Sequence, residues 1–144
     1  MSTLNPPELA EKVTNHGFTK AAGVRVVHLE PGKVELALPR RDDLLQFAGH
    51  FHGGVIAALA DQAAGIAVTS KLPQGKIGVT VEFKVNFLAS ADGDEIIARA
   101  EAIQVGGTIG VATIEIFTKN ENSERRCAFG TATMRAVDLP KPFS

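Results

Sequence analysis

The pattern of apolar and polar residues in this 144-residue chain predicts an α+β domain. Three observations carry that expectation. Residues 53–68 are apolar throughout except for Asp61 and Gln62, which marks a long buried helix. The segments after it alternate apolar with polar residues over long runs, as strands do. Short turn signals separate those runs, so the strands are expected to pair antiparallel. A lone apolar helix beside strands long enough to curl implies a curved sheet wrapped around it.

The elements follow in order. Pro6 to Val13 reads as a short amphipathic helix, with Asn5 as its N-cap and a proline in its first turn. Gly17 is expected to end it. Gly23 to Glu30 is rich in valine and reads as a strand; Pro31-Gly32 is a turn. Lys33 to Leu38 alternates, with Val34, Leu36 and Leu38 on one face. Pro39 to Gly53 is a long connection of the kind that often carries function. The central helix is expected from about Gly54 to Ser70, ended by Leu72-Pro73-Gln74-Gly75.

The clearest strand comes next. Ile77, Val79, Val81, Phe83, Val85 and Phe87 are expected on one face, with Gly78, Thr80, Glu82, Lys84 and Asn86 on the other. Ala91 to Asp94 is a turn, and Glu95 to Val105 a strand. Gly106-Gly107 is a two-residue hairpin signal. Thr108 to Thr118 and Arg125 to Arg135 are the last strands, joined by the polar turn Lys119 to Ser123. The expected organisation is an N-terminal helical segment over residues 1–20, one domain over 21–137 and an irregular tail over 138–144.

Composition narrows the function. The chain is 44% apolar and 22% charged, with a formal net charge of −1 and scattered positive residues. A nucleic-acid binder normally carries a basic stripe, and none is visible. The single cysteine, Cys127, excludes an intramolecular disulfide and fits a reducing compartment. Residues 1–7 lack the pattern of a secretory leader. No apolar run reaches the roughly 20 residues of a membrane span. The cytoplasm is the expected location, with neither membrane nor nucleic acid as partner.

Asp61 is the informative residue. A carboxylate in an apolar helix is costly unless paired or hydrogen-bonded, and such departures from local rules often mark function. It is either a base or nucleophile, or a buried aspartate satisfied by its neighbours. Thr80 and Gln62 are its candidate hydrogen-bond partners. Eight residues upstream, at Gly53, the first N–H groups of the helix form a ready site for developing negative charge. Glycine there either admits a substrate close to the backbone or merely makes a tight turn. His52 either polarises a carbonyl or, by preference, fixes that turn. Thr80 is a candidate for holding water, or an ordinary strand threonine. His50 and His52 lack further residues at ligand spacing, so no metal is expected. Gly65 is expected to lie close to a facing strand or a partner helix. Phe47, Phe51 and Phe87 line a pocket or belong to the core, with core preferred for Phe87. Arg125 and Arg126 are expected to be solvated.

The segment Gln46-Phe47-Ala48-Gly49-His50-Phe51-His52-Gly53-Gly54, followed by Asp61 and the strand from Ile77, resembles the hotdog-fold acyl-CoA thioesterases of the phenylacetate-pathway (PaaI-like) type. The resemblance runs from about Ala21 to Val137. It implies a long central helix wrapped by a curved antiparallel sheet of five to six strands. It implies that Asp61 is general base or nucleophile and that the Gly53 N–H polarises the thioester carbonyl. At the Gln46 position the family usually has asparagine, which helps place water or substrate; glutamine is one methylene longer. Serine or threonine is usual at the Thr80 position, where it can hold the attacking water. An Arg-Pro pair common near Leu88 is replaced by Ala89-Ser90, and a basic residue common after the Gly106 position by Gly107. The resemblance also implies a homodimer or homotetramer in which Asp61 of one copy faces Gly53 of another.

The expected function is therefore hydrolysis of an acyl-CoA thioester to free acid and coenzyme A. Coenzyme A enters as part of the substrate, and no separate cofactor is expected. The alternatives are a hotdog-fold dehydratase or hydratase acting on acyl thioesters, and a module that binds acyl-CoA without turning it over.

Overall fold

The computed structural model describes residues 5–141. The expectations that fall on residues 1–4 and 142–144, part of the leader reading and the end of the tail, lie outside the described residues. The elements are α1 (Pro6–Thr14), α2 (Gly17–Ala22), β1 (Arg25–Glu30), β2 (Lys33–Pro39), a 3-10 turn (Asp42–Leu44), α3 (Gly53–Thr69), β3 (Lys76–Phe87), β4 (Glu95–Val105), β5 (Ile109–Asn120) and β6 (Ser123–Asp138). The six strands form one antiparallel sheet in the order β1-β2-β4-β5-β6-β3. The sheet curves around α3, the expected hotdog architecture.

α1 begins as its sequence dictates. Asn5 accepts from the Glu8 N–H at 3.0 Å, and Glu8 accepts from the Asn5 N–H at 3.1 Å. This reciprocal pair satisfies two donors that the helix start leaves open. The second helix, α2, was not expected. Gly17 opens it with φ of +52°, and Gly23 closes it in the left-handed region at +92°. Six residues are too few to show a helical period. α2 runs across positions 20 and 21, and α1 packs on β1 and α3.

The core lies between α3 and the concave face of the sheet. Leu59, Ala60, Ala63, Ala64, Ala67 and Val68 of α3 are buried there. They meet Leu36 and Leu38 of β2, Ile96 and Ala98 of β4, Ala112 and Ile114 of β5, and Ala132 and Met134 of β6. Small residues on both surfaces let the helix lie close to the strands. At Gly110 an added Cβ would come within 2.5 Å of Val68 Cγ1. Gly130 is as tight but meets backbone, because its added Cβ would lie 2.5 Å from the Lys84 carbonyl oxygen on β3. Backbone cannot swing aside as a side-chain tip can. Gly130→Ala is therefore expected to destabilise the fold by about 3 kcal/mol, the upper end of overpacking costs. Thermal or urea unfolding of that variant measures it.

The alternation of β3 is interrupted. Thr80 pairs with Met134 and Glu82 with Thr133, so Val81 is an extra residue in a bulge. Directly paired residues share a face of the sheet, and one inserted residue exchanges the faces beyond it. Met134 and Ala132 belong to the core cluster under α3. Before the bulge, Gly78 and Thr80 therefore face the helix. After it, Phe83, Val85 and Phe87 do, through their pairing with Ala132, Gly130 and Ala128. The expected single apolar face from Ile77 to Phe87 is corrected accordingly.

Smaller corrections concern the turns. The β4–β5 connection is three residues, Gly106 to Thr108, closed by the Gly106 N–H donating to the Ile109 carbonyl at 2.8 Å. Neither glycine has positive φ, so the two-residue hairpin geometry is not formed. The β5–β6 turn narrows to Glu121-Asn122. β6 continues to Asp138, and the Leu139 N–H donates to the Gly75 carbonyl at 2.9 Å, so the expected irregular tail begins in ordered, packed chain.

Candidate active site

The loop before α3 is held by its own polar groups. Gln46 Oε1 accepts from the Ala48 N–H at 2.6 Å and the His50 N–H at 3.2 Å. Gly49 takes φ of +86°, and its carbonyl accepts from Arg40 Nη2 at 2.6 Å. The amide oxygen of Gln46 is thus engaged in shaping the turn. Phe51 is buried at 3% exposure and anchors the loop, while Phe47 points fully into solvent.

His52 is the N-cap of α3, and its Nδ1 accepts from the Gly54 N–H at 2.9 Å. His52 thereby fixes the turn at the helix start through a backbone hydrogen bond. With His52 occupied at Gly54, the Gly53 N–H stays among the first-turn donors that no carbonyl of the helix can reach. The φ of Gly53 is not positive, so any residue could take its backbone conformation. Space is what glycine supplies here. An added Cβ at Gly53 would sit 3.4 Å from the tip of the Phe87 ring. Phe87 is 56% exposed and rests against the helix start, so it is not the core residue expected.

Asp61 lies two turns further along. The surface of α3 is not covered on every side: Gly54, Ala57, Ala58, Asp61, Gln62 and Gly65 are half-buried or exposed and form one stripe. An apolar helix in one chain is thus partly open, and the expectation that Asp61 is buried is corrected. Its Oδ1 accepts a hydrogen bond from the Thr80 hydroxyl at 2.6 Å. The bulge at Val81 puts Thr80 on the helix side in the same strand that later presents Phe87 to Gly53. Gln62, the other candidate partner, turns away and donates through Nε2 to Thr14 Oγ1 on α1 at 3.2 Å.

Asp61 and Thr80 border a cleft of about 270 Å³ between α1, α3 and the start of β3. Its walls include Leu9 and Val13 of α1, Gly65 and Ile66 of α3, and Ile77 and Val79 of β3. Gly65 was expected to touch a strand or a partner helix; within the chain an added Cβ there would meet nothing within 4 Å. Gln46, His52 and Gly53 do not border this cleft. The chain therefore brings Asp61 together with Thr80, and brings Gln46, His52 and Gly53 together at the other end of α3.

Cys127 is buried, and burial pushes its thiol up to about 11, which disfavours the nucleophilic thiolate. Arg125 donates to the Ser90 carbonyl at 2.8 Å, and Arg126 pairs with Glu115 at 3.1 Å. Among the described residues no cluster of three or more His, Cys, Asp or Glu could hold a metal ion. No helix among them is long and apolar enough to cross a membrane.

The sequence profile of the thioesterase superfamily matches residues 48–124, from the loop before α3 to the start of β6. The chain belongs to the thioesterase superfamily. A thioesterase family protein from Silicibacter pomeroyi has the same fold with a TM-score of 0.89 and 33% identity, covering 94% of this chain and all of that one. A 1,4-dihydroxy-2-naphthoyl-CoA hydrolase from Listeria monocytogenes is 32% identical over 105 residues, 73% of this chain and 85% of that protein. The PaaI protein of the Escherichia coli phenylacetic acid degradation operon shares the fold at a TM-score of 0.81 and 22% identity, covering 92% of this chain and 93% of that one. This thioesterase is thus a thioester hydrolase built on the hotdog fold.

Sequence reasoning missed the part of this thioesterase that α1 plays. The signal was present: Leu9 and Val13 stand four residues apart on one face of a short helix, and that face needed cover. The approach of Phe87 to Gly53 had no such signal, because it follows from the bulge.

Proposed function

We propose that this thioesterase hydrolyses acyl-CoA thioesters with a site built by two copies of the chain. The observation that carries the reading is the Asp61 carboxylate, hydrogen-bonded by Thr80 at 2.6 Å and facing an open, largely apolar cleft. The CoA hydrolase activity named for the Listeria relative supports the choice of thioester.

The shared site follows from length along a helix. Asp61 and Gly53 are eight residues apart on α3, which is about 12 Å at 1.5 Å per residue. A base and an oxyanion donor acting on one carbonyl carbon must both lie within about 3–4 Å of the reacting atoms. Within one chain the two groups stand at the limit of that reach. Two chains related by a twofold axis satisfy both conditions, with Asp61 of one copy opposite Gly53 of the other. The α3 stripe around Asp61 is open for such a contact. β3 is an edge strand whose Val79, Val81 and Phe83 are exposed, and edges of that kind seek a partner. Light scattering at micromolar concentration is expected to give a dimer or a larger even assembly. A monomer would overturn the shared site.

In this arrangement the thioester carbonyl oxygen accepts from the Gly53 N–H. Asp61 removes a proton from water as the water oxygen attacks the carbonyl carbon; the C–S bond then breaks, and the coenzyme A thiolate leaves and takes up a proton. The alternative is direct attack by Asp61 to give an anhydride that water opens. Label in the Asp61 carboxylate after a single turnover in ¹⁸O-labelled water identifies the second route, with water opening the anhydride at the Asp61 carbonyl carbon; opening at the acyl carbon labels the product acid, as the first route does. Thr80 fixes the carboxylate in both. Gln46 and His52 act by holding the loop and the helix start that present the Gly53 N–H. Location in the cytoplasm and the absence of a separate cofactor belong to the same reading.

Thiol release from a panel of short, long and aromatic acyl-CoAs tests the proposal. Release with at least one ester is the expected result. Loss of conjugated absorbance from an enoyl-CoA without thiol release would favour the hydratase alternative. Binding with neither change would favour the non-catalytic one.

A further inference from the structure

The cleft beside Asp61 has a composition that selects among the parts of a CoA ester. Among the described residues no lysine or arginine borders it, and the one charge they place there is a carboxylate. The phosphates of a nucleotide would meet no counter-charge there and would be repelled by Asp61. The polar side chains in its walls already have partners in the chain. Gln62 donates to Thr14, Thr69 Oγ1 accepts from the Gly78 N–H at 2.9 Å, and the Ser70 hydroxyl donates to the Ala67 carbonyl at 2.7 Å. What the cleft offers a ligand is hydrocarbon surface from Leu9, Val13 and Ile66, over the gap left by Gly65.

α1 is the unusual wall. It lies outside residues 48–124, which the superfamily profile matches. It is nevertheless firmly placed. The Asn5–Glu8 capping box holds its start. Gln62 reaches Thr14 at its end, and the Thr14 carbonyl accepts from Thr19 Oγ1 at 2.7 Å. Leu9 and Ala10 are buried.

We propose that α1 closes the acyl pocket of this thioesterase, so that Val13 and the gap at Gly65 set the largest acyl group it accepts. This inference rests on the thioesterase reading. The substrate class is an uncharged, compact acyl group. A cavity of about 150 Å³ accepts a six-carbon ring, so 270 Å³ corresponds to roughly ten carbon atoms. An acyl group ending in a second carboxylate is disfavoured by the missing counter-charge and by Asp61.

The test is kcat/KM for unbranched acyl-CoAs from butyryl to palmitoyl, read as the ratio of decanoyl to butyryl. Val13→Phe and Gly65→Leu are expected to lower that ratio about tenfold or more, and Val13→Ala to raise it, because pocket discrimination per methylene is of that order. Calorimetric binding of alkyl-CoA thioethers, which cannot be hydrolysed, is read on the same variants. Thioether affinity that follows chain length and Val13 without any turnover would retain the wall and remove the hydrolase reading. Turnover with a ratio unmoved in all three variants would overturn the wall. So would a change of oligomeric size in Val13→Phe and Gly65→Leu with an unmoved ratio, which would assign both positions to contacts between copies.

Discussion

Asp61→Asn is expected to lower thioester hydrolysis by at least ~10²-fold, the effect of removing a positioned general base. The substitution is nearly isosteric. The Thr80 hydroxyl, 2.6 Å from Oδ1, can donate equally well to an amide oxygen, so the local geometry survives. What is lost is the basicity that takes a proton from water and the nucleophilicity that direct attack needs. The loss should fall on kcat, since the group acts in the transition state. Steady-state thiol release, with unfolding curves that match the parent, checks both parts. Retained turnover would remove Asp61 from the chemistry. Thr80→Val is a milder companion, because it leaves the carboxylate in place but frees it to rotate.

Gly53→Val is expected to lower kcat/KM by ~10²–10³-fold, comparable to the loss of one oxyanion-hole donor. The backbone at Gly53 is not in the left-handed region, so valine does not strain it. Its Cβ would meet the Phe87 ring at 3.4 Å, an ordinary contact with an exposed side chain that can shift. The branched side chain would occupy the space through which a carbonyl reaches the N–H. Normal kinetics would move the oxyanion site elsewhere. The two variants also test whether copies share the site. In a hybrid dimer of Asp61→Asn with Gly53→Val, one site carries both changes and the other carries neither. Random mixing of the two inactive chains should restore about a quarter of parental activity, because half the dimers are hybrids with one intact site of two. No recovery after verified subunit exchange would place both groups of a site on one chain.

Much of the fold was legible because it depends on local rules. The N-cap at Asn5, the strand pattern from Lys33 to Leu38 and the bounds of β4 each follow from residues near in sequence. The helix from Gly53 to Thr69 could be read from its apolar length. β3 was legible as a strand but not in its facing. A period of two assumes no inserted residue, and the bulge at Val81 is fixed by the pairing of β3 with β6, more than 50 residues away. That one residue decides that Thr80 meets Asp61 and that Phe87 meets Gly53. The candidate site divides the same way. Asp61, Gly53, His52 and Gln46 were visible as residue types in a motif, and Thr80 and Gln62 as the two candidate partners of Asp61; packing decided for Thr80 and set the backbone contacts of Gln46.

The amino-acid order alone determined which elements form, that one greasy helix needs a sheet around it, and that a carboxylate and a free helix start share that helix. Each of these follows from periodicity or from backbone groups that any helix leaves open. Tertiary packing alone decided the orientation of Thr80, the half-open position of Asp61 and the cleft closed by α1. Those outcomes depend on strand register and on the approach of segments distant in the chain. No local preference encodes such a distance; it is set by which surfaces fit when the whole chain packs.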